Sequence, residues 1–222
     1  MSGATTVPMV ASTRANRIAA KKESLLLFSV IVISFFAMPC KDALSHPHVF
    51  IVQRIEIVFD DKGLAGFEVQ WKFDEMFSTM IVGDYDKNQN RCLEPDEIKA
   101  IKEGAFSYLS NYHYFTFVRI DGKPFEVKFV RDFWAGVKEN KLIYRFFVPC
   151  HVAARSSYRH IVVATYDPSY YTAIFYPEDR PAALDNAGGF DVESAIRQDA
   201  STSIYYDMVH PWALFLDFRK KQ

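Results

Sequence analysis

The sequence predicts an α+β protein: a mainly antiparallel, β-sandwich-like body carrying an inserted EF-hand-like helix-loop-helix. Three observations lead there. Apolar and polar residues alternate through several short runs, the period of half-buried strands. Turn-forming residues separate those runs at close spacing, as in antiparallel sheets. Between the second and third runs, Asp86 to Glu97 sets oxygen-bearing side chains at the spacing of a calcium loop, with helical patterns on both sides.

The first run places Val49, Ile51, Ile55, Ile57 and Phe59 on one face, and Asp60-Asp61-Lys62-Gly63 turns the chain. Phe67, Val69, Trp71 and Phe73 then alternate with Glu68, Gln70 and Lys72, which completes a β-hairpin. The helical insertion covers about 74–112. Asp74 and Glu75 are acids suited to a helix start, and Met76 to Val82 leads into the loop. Pro95 to Tyr112 leads out, with Ile98, Ile101, Ala105, Tyr108, Leu109 and Tyr112 on one face and Pro95 where a missing N–H is harmless. Further strands read at Tyr114–Ile120, Phe125–Phe133, Leu142–Val148, His160–Tyr166 and Tyr170–Tyr176. Asp121-Gly122-Lys123-Pro124 turns between the first two of these, and Asp167 caps the corner before the last. Pro177–Gly189 reads as a surface loop. Residues 199–222 form an aromatic and basic tail, which either packs on the sheet or docks a partner.

Residues 1–45 read as a signal peptide. Arg14, Arg17, Lys21 and Lys22 precede the mostly apolar run Leu25–Met38, short for a bilayer span of roughly 20 residues. Ala43-Leu44-Ser45 supplies a small-residue cleavage site after Ser45. The expected location is periplasmic, with an uncleaved anchor as the alternative and the sole route to a membrane. The β-rich domain is then 46–198. Residues 46–222 carry 21 Lys and Arg against 25 Asp and Glu, a net charge of −4 with no basic stripe, so nucleic acid is not an expected partner. Cys92 and Cys150 could pair in an oxidising compartment, although a bond at Cys92 would tether the loop. No Ser/His/Asp order, nucleotide loop or paired carboxylates stands out, and the chain is expected not to be an enzyme.

The expected metal ligands of the loop are Asp86, Asn88, Asn90, Cys92, Glu94 and Glu97, with apolar Leu93 at position 8. Arg91 occupies position 6, where glycine is usual because the backbone needs a positive φ, at a cost of about 1–2 kcal/mol. Neutral Asn88 and Asn90 and the nearby Arg91 charge weaken the site. The expected Ca²⁺ affinity is that of extracellular modules, ~10⁻⁴–10⁻³ M. A degenerate loop that keeps the turn without the ion is the alternative.

His46-Pro47-His48 follows the expected cleavage point. Processing would make His46 the mature terminus, where its amine and imidazole, with His48, offer three nitrogens suited to Ni²⁺, Co²⁺, Cu²⁺ or Zn²⁺. A frayed terminus is the bland alternative. His113, His151, His160 and His210 are scattered and read as surface or core residues.

His46-Pro47-His48-Val49-Phe50, Trp71 to Phe77, Asp84 to Glu97, Tyr114-Phe115-Thr116, Asp121 to Pro124 and Tyr166 to Tyr171 occur in an order that resembles one bacterial family of unknown function. That family is described as the periplasmic component of an uncharacterised ABC-type transport system, often associated with nickel/cobalt exporter permeases. The resemblance runs from about His46 to Arg197. It implies a periplasmic location, a part in transition-metal transport and an inner-membrane metal permease as partner. The chain departs from the family at Asn90 and Arg91, where an acidic residue and a glycine are usual, and in its aromatic tail.

The leading expectation is a metal-binding accessory protein of a divalent-metal transporter, with calcium held structurally in the loop. The alternative is a non-catalytic interaction module in which calcium only stabilises the fold. A copper enzyme built on the histidine chelate would need a further histidine brought in by the fold.

Overall fold

The computed structural model describes residues 47–222; the expected signal segment 1–45 and His46 lie outside the described residues. Strand β1 (Val49–Phe59) and strand β2 (Gly63–Phe73) form the expected antiparallel hairpin. Asp60 Oδ1 accepts from Lys62 N at 2.8 Å and Gly63 N at 3.0 Å, closing its turn. Helix α1 (Glu75–Tyr85) follows, its N-cap Asp74 accepting from Phe77 N at 2.9 Å. After the loop come helix α2 (Pro95–Ile101), a wider π turn at Lys102–Phe106 and a 3₁₀ stretch at Ser107–Phe115. The chain continues through β3 (Thr116–Ile120), β4 (Lys123–Phe125), β5 (Arg131–Lys138), β6 (Lys141–Ala153) and β7 (Arg159–Thr165). It ends with β8 (Thr172–Phe175), β9 (Ala182–Asp185), β10 (Phe190–Gln198) and β11 (Trp212–Lys220).

The strands make two sheets around a shared apolar core, a β-rich α+β architecture. One sheet has the order β5-β6-β2-β1-β8, with β9 also on β1; the other has the order β10-β11-β7-β3-β4. Alternate residues of β1 and β2 point inward, and Phe59 packs on Phe190 and Phe218 at ring separations of 5.0 and 5.3 Å. Gln53 shares the buried face of β1 and bonds across to Thr165 on the other sheet.

The structure refines some expectations and corrects others. The first sheet is mixed, because β8 and β9 pair with β1 in parallel. β9 lies inside the segment read as a loop, and its four residues are too short and too exposed to show an alternating pattern. Phe125–Phe133 is not one strand: β4 ends at Phe125 in the second sheet, and β5 begins at Arg131 in the first, with a bulge before Trp134. The exit helix is not a uniform α-helix. The π turn advances the helix face, so Phe106 is buried while Tyr108 and Tyr112 are 72% and 50% exposed. Within residues 199–222, Trp212–Lys220 lies between β7 and β10, with Leu214, Leu216 and Phe218 fully buried. That segment is integral to the second sheet.

Candidate metal centre

The loop between α1 and α2 is organised by its own carboxylates. Asp86 ends α1, its N–H donating to Val82 O at 2.9 Å. Its buried carboxylate turns the chain back: Oδ2 accepts from Arg91 N at 2.7 Å and Oδ1 from Asn90 N at 3.3 Å. Asn88 Oδ1 also accepts from Asn90 N, at 3.0 Å, and Asn90 Oδ1 accepts from Cys92 N at 2.6 Å. These side-chain-to-backbone bonds curl the segment toward one centre. Glu97 closes the ring from the far side, Oε1 accepting from Lys87 N at 2.8 Å and Oε2 from Glu94 N at 3.0 Å. Asp86 and Glu97 are each only 4% exposed, a costly placement for carboxylates that these donors offset.

Arg91 has φ 61°, the left-handed conformation expected at position 6, and Gln89 also has a positive φ, 58°. The Arg91 guanidinium reaches the β5–β6 turn, donating to Asn140 Oδ1 at 3.1 Å. Leu93 packs against the core, as its apolar character requires.

Glu94 opens α2 as half of a capping box, its side chain turned to the Glu97 backbone N–H and the Glu97 side chain to its own. Glu94 Oε1 accepts from Asn90 Nδ2 at 2.7 Å. A hydrogen bond shared with the Glu97 carboxyl, then that from Asn90, hold Glu94 below the ordinary carboxylate range. Carboxylate and amide oxygens at this sequence spacing are the donor types that a hard cation such as calcium takes. Asp86, Asn88, Asn90, Glu94 and Glu97 would hold it. The Cys92 thiol is exposed and would contribute no sulfur to a hard ion. As arranged here, no three His, Cys, Asp or Glu side chains gather into a metal-ligating group among the described residues. The Asp86 and Glu97 oxygens are instead occupied by loop N–H groups.

His48 is exposed at the start of β1. Its N–H donates to Tyr171 O at 2.8 Å, and its ring lies 5.0 Å from that of Tyr171. His160 pairs with Asp217 at 2.7 Å, and His210 Nδ1 lies 2.9 Å from Thr202 O. Cys92 and Cys150 are both free, and burial pushes the Cys150 thiol up to about 12. No sequence signal marked the Arg91–Asn140 contact, because its partners lie 49 residues apart.

Residues 31–204 match the family model described as a protein of unknown function, DUF1007. The chain belongs to the DUF1007 family. An uncharacterized 15.5 kDa protein in the trpE 3′ region of Spirochaeta aurantia is 31% identical over 136 residues, covering 61% of this chain and 96% of that protein. An uncharacterized protein of Haemophilus influenzae is 27% identical over 136 residues, covering 60% of this chain and 64% of its own length. The DUF1007 match takes in the hairpin, the loop and both sheets up to β10, and ends before β11.

Proposed function

We propose that this chain is a non-catalytic, exported metal-binding accessory protein of a divalent transition-metal transport system of the nickel/cobalt type. An EF-hand-like calcium loop stabilises its scaffold. The observation that supports the metal-binding reading is the oxygen spacing at Asp86–Glu97, with the carboxylates of Asp86 and Glu97 both buried. Bound calcium would neutralise those clustered carboxylates. Asp86 and Glu97 preorganise the turn, and Leu93 ties it to the core.

The transport role rests on the family resemblance and on the nitrogen donors of His46 and His48. His48 is accessible, and its backbone is pinned to Tyr171. The permease partner follows from the same resemblance.

Calorimetric titration with Ni²⁺, Co²⁺, Cu²⁺, Zn²⁺ and Ca²⁺ tests this division, on wild type and on His46→Ala/His48→Ala. Transition-metal binding that is lost in the double variant, with calcium binding retained, is the expected result. Transition-metal binding unchanged in that variant would overturn the histidine site.

A second reading, a calcium-stabilised interaction module, is favoured by the exposed Met76, Met80, Tyr108 and Tyr112 on the helical insertion. It gains if calcium raises the melting temperature while none of the transition metals binds.

A further inference from the structure

The outer face of the β5–β6 hairpin has a composition unlike the rest of the domain. From Arg131 to Pro149 there are four Lys and Arg against two Asp and Glu, although residues 46–222 as a whole are acidic. The ladder register sets these cations beside aromatic rings. Arg131 stands opposite Phe147, Trp134 opposite Arg145 and Lys138 opposite Lys141. The Arg131 guanidinium lies 4.9 Å from the Phe147 ring centre, and that of Arg145 lies 4.3 Å from the Trp134 ring. Gly136 leaves room for the arrangement: a Cβ there would stand 2.2 Å from the Trp134 ring, so the indole lies across the sheet surface. Trp134 remains 39% exposed despite the stacked guanidinium.

Three acids accompany the patch, one of them Glu68 on β2, which stands opposite Phe147. Glu139 is held by Lys72 at 2.9 Å, and Asp132 is exposed in the bulge before Trp134. The balance is still positive. A flat sheet face joining cations to an amphipathic indole matches a headgroup layer, which offers dispersed negative charge and a polar–apolar boundary.

We propose that this face docks on an anionic lipid bilayer. Arg131, Arg145, Lys138 and Lys141 meet the headgroup phosphates, and Trp134 lies at the interface between headgroups and acyl chains. A soluble polyanion would satisfy the cations but offers no boundary for the exposed edge of the indole. At the β5–β6 turn the surface adjoins the metal loop through the Arg91–Asn140 bond, and the proposal does not depend on a metal in that loop.

The test uses the processed chain, residues 46–222, carrying Trp212→Phe, so that Trp134 and the buried Trp71 are its emitters. It is mixed with vesicles of brominated phosphatidylglycerol and, separately, of phosphatidylcholine. The expected result is a blue shift and quenching of Trp134 on the anionic vesicles, lost with Trp134→Phe, and at least tenfold weaker partitioning in Arg131→Gln/Lys141→Gln/Arg145→Gln. Salt at about 0.5 M should release the protein through screening. The charge-reversed pair Lys138→Glu/Lys141→Glu provides a second variant that leaves both stacked arginines in place, and it should also weaken partitioning. Sedimentation with vesicles while Trp134 stays unquenched would place attachment elsewhere and overturn the proposal. So would wild-type partitioning in both charge variants, or binding to heparin with none to vesicles.

Discussion

Trp71 Nε1 donates to Gln53 Oε1 at 2.7 Å, directly across the β1–β2 ladder and wholly inside the core. Gln53 Nε2 donates in turn to Thr165 Oγ1 at 3.0 Å and Tyr176 Oη at 2.8 Å. One amide thus satisfies the indole of its own sheet and bridges to β7 of the other. Burial pushes the Tyr176 hydroxyl well above its usual range, so it stays neutral in this network. Removing one partner leaves the others buried and unmatched.

Gln53→Ala is therefore expected to lose about 2–4 kcal/mol, combining a cavity with stranded polar groups. Trp71→Phe keeps most of the volume but strands Gln53 Oε1, and should lose about 1–3 kcal/mol. Urea unfolding checks both. A change below about 0.5 kcal/mol in either would show that the network contributes little.

The second strand of this pair was legible and its partner residue was not. Phe67, Val69, Trp71 and Phe73 alternate cleanly with polar neighbours, so the inward face of β2 follows from period alone. Gln53 sits on the equivalent face of β1 but reads as polar. Only the bonds to Trp71, Thr165 and Tyr176 make its burial affordable, and those depend on tertiary pairing. The same limit hid β9, whose parallel partner is more than 100 residues away in sequence. In the candidate site, the oxygen spacing from Asp86 to Glu97 was readable directly. The route of the Arg91 side chain to Asn140 was not, because a hairpin turn from another part of the chain supplies its acceptor.

Phe218 tests the placement of the C-terminal strand. It is fully buried on β11 and packs edge-on against Phe59 and Phe190. Phe218→Ala should cost about 3–5 kcal/mol, and truncation before Trp212 should abolish cooperative unfolding by removing a strand with neighbours on both edges. A stable, cooperatively folding truncated protein would refute that placement.

Asp199 gives the fold a defined acid sensitivity. Burial alone would raise its pKa, but hydrogen bonds from Ser201, Thr202 and Arg119 outweigh that and hold it at about 2. A carboxylate depressed below its unfolded value of about 3.9 stabilises the fold above about pH 4. That contribution, on the order of 1–2 kcal/mol, is lost as pH falls from about 4 toward 2. Asp199→Asn should flatten stability against pH across this window. An unchanged acid limb in the variant would assign the acid sensitivity to other groups.

Arg91→Gly removes the strain of a side chain at φ 61° and also removes a positive charge carried by the loop. Calcium affinity should tighten about 3- to 10-fold, corresponding to roughly 1 kcal/mol. The lost bond to Asn140 should offset part of the gain in fold stability. Calorimetric titration of the two proteins at equal ionic strength reads the difference, and weaker calcium binding by the glycine variant would contradict it.

The most direct test of the loop as a calcium site is thermal unfolding of wild type and Glu97→Gln, each with and without 10 mM Ca²⁺. At a Kd of ~10⁻⁴–10⁻³ M, that concentration stabilises wild type by about 1.4–2.7 kcal/mol. The corresponding rise in Tm is about 3–10 °C, and the Glu97→Gln protein should show almost none of it. No rise in wild type, or an equal rise in both proteins, would contradict calcium binding at Asp86–Glu97.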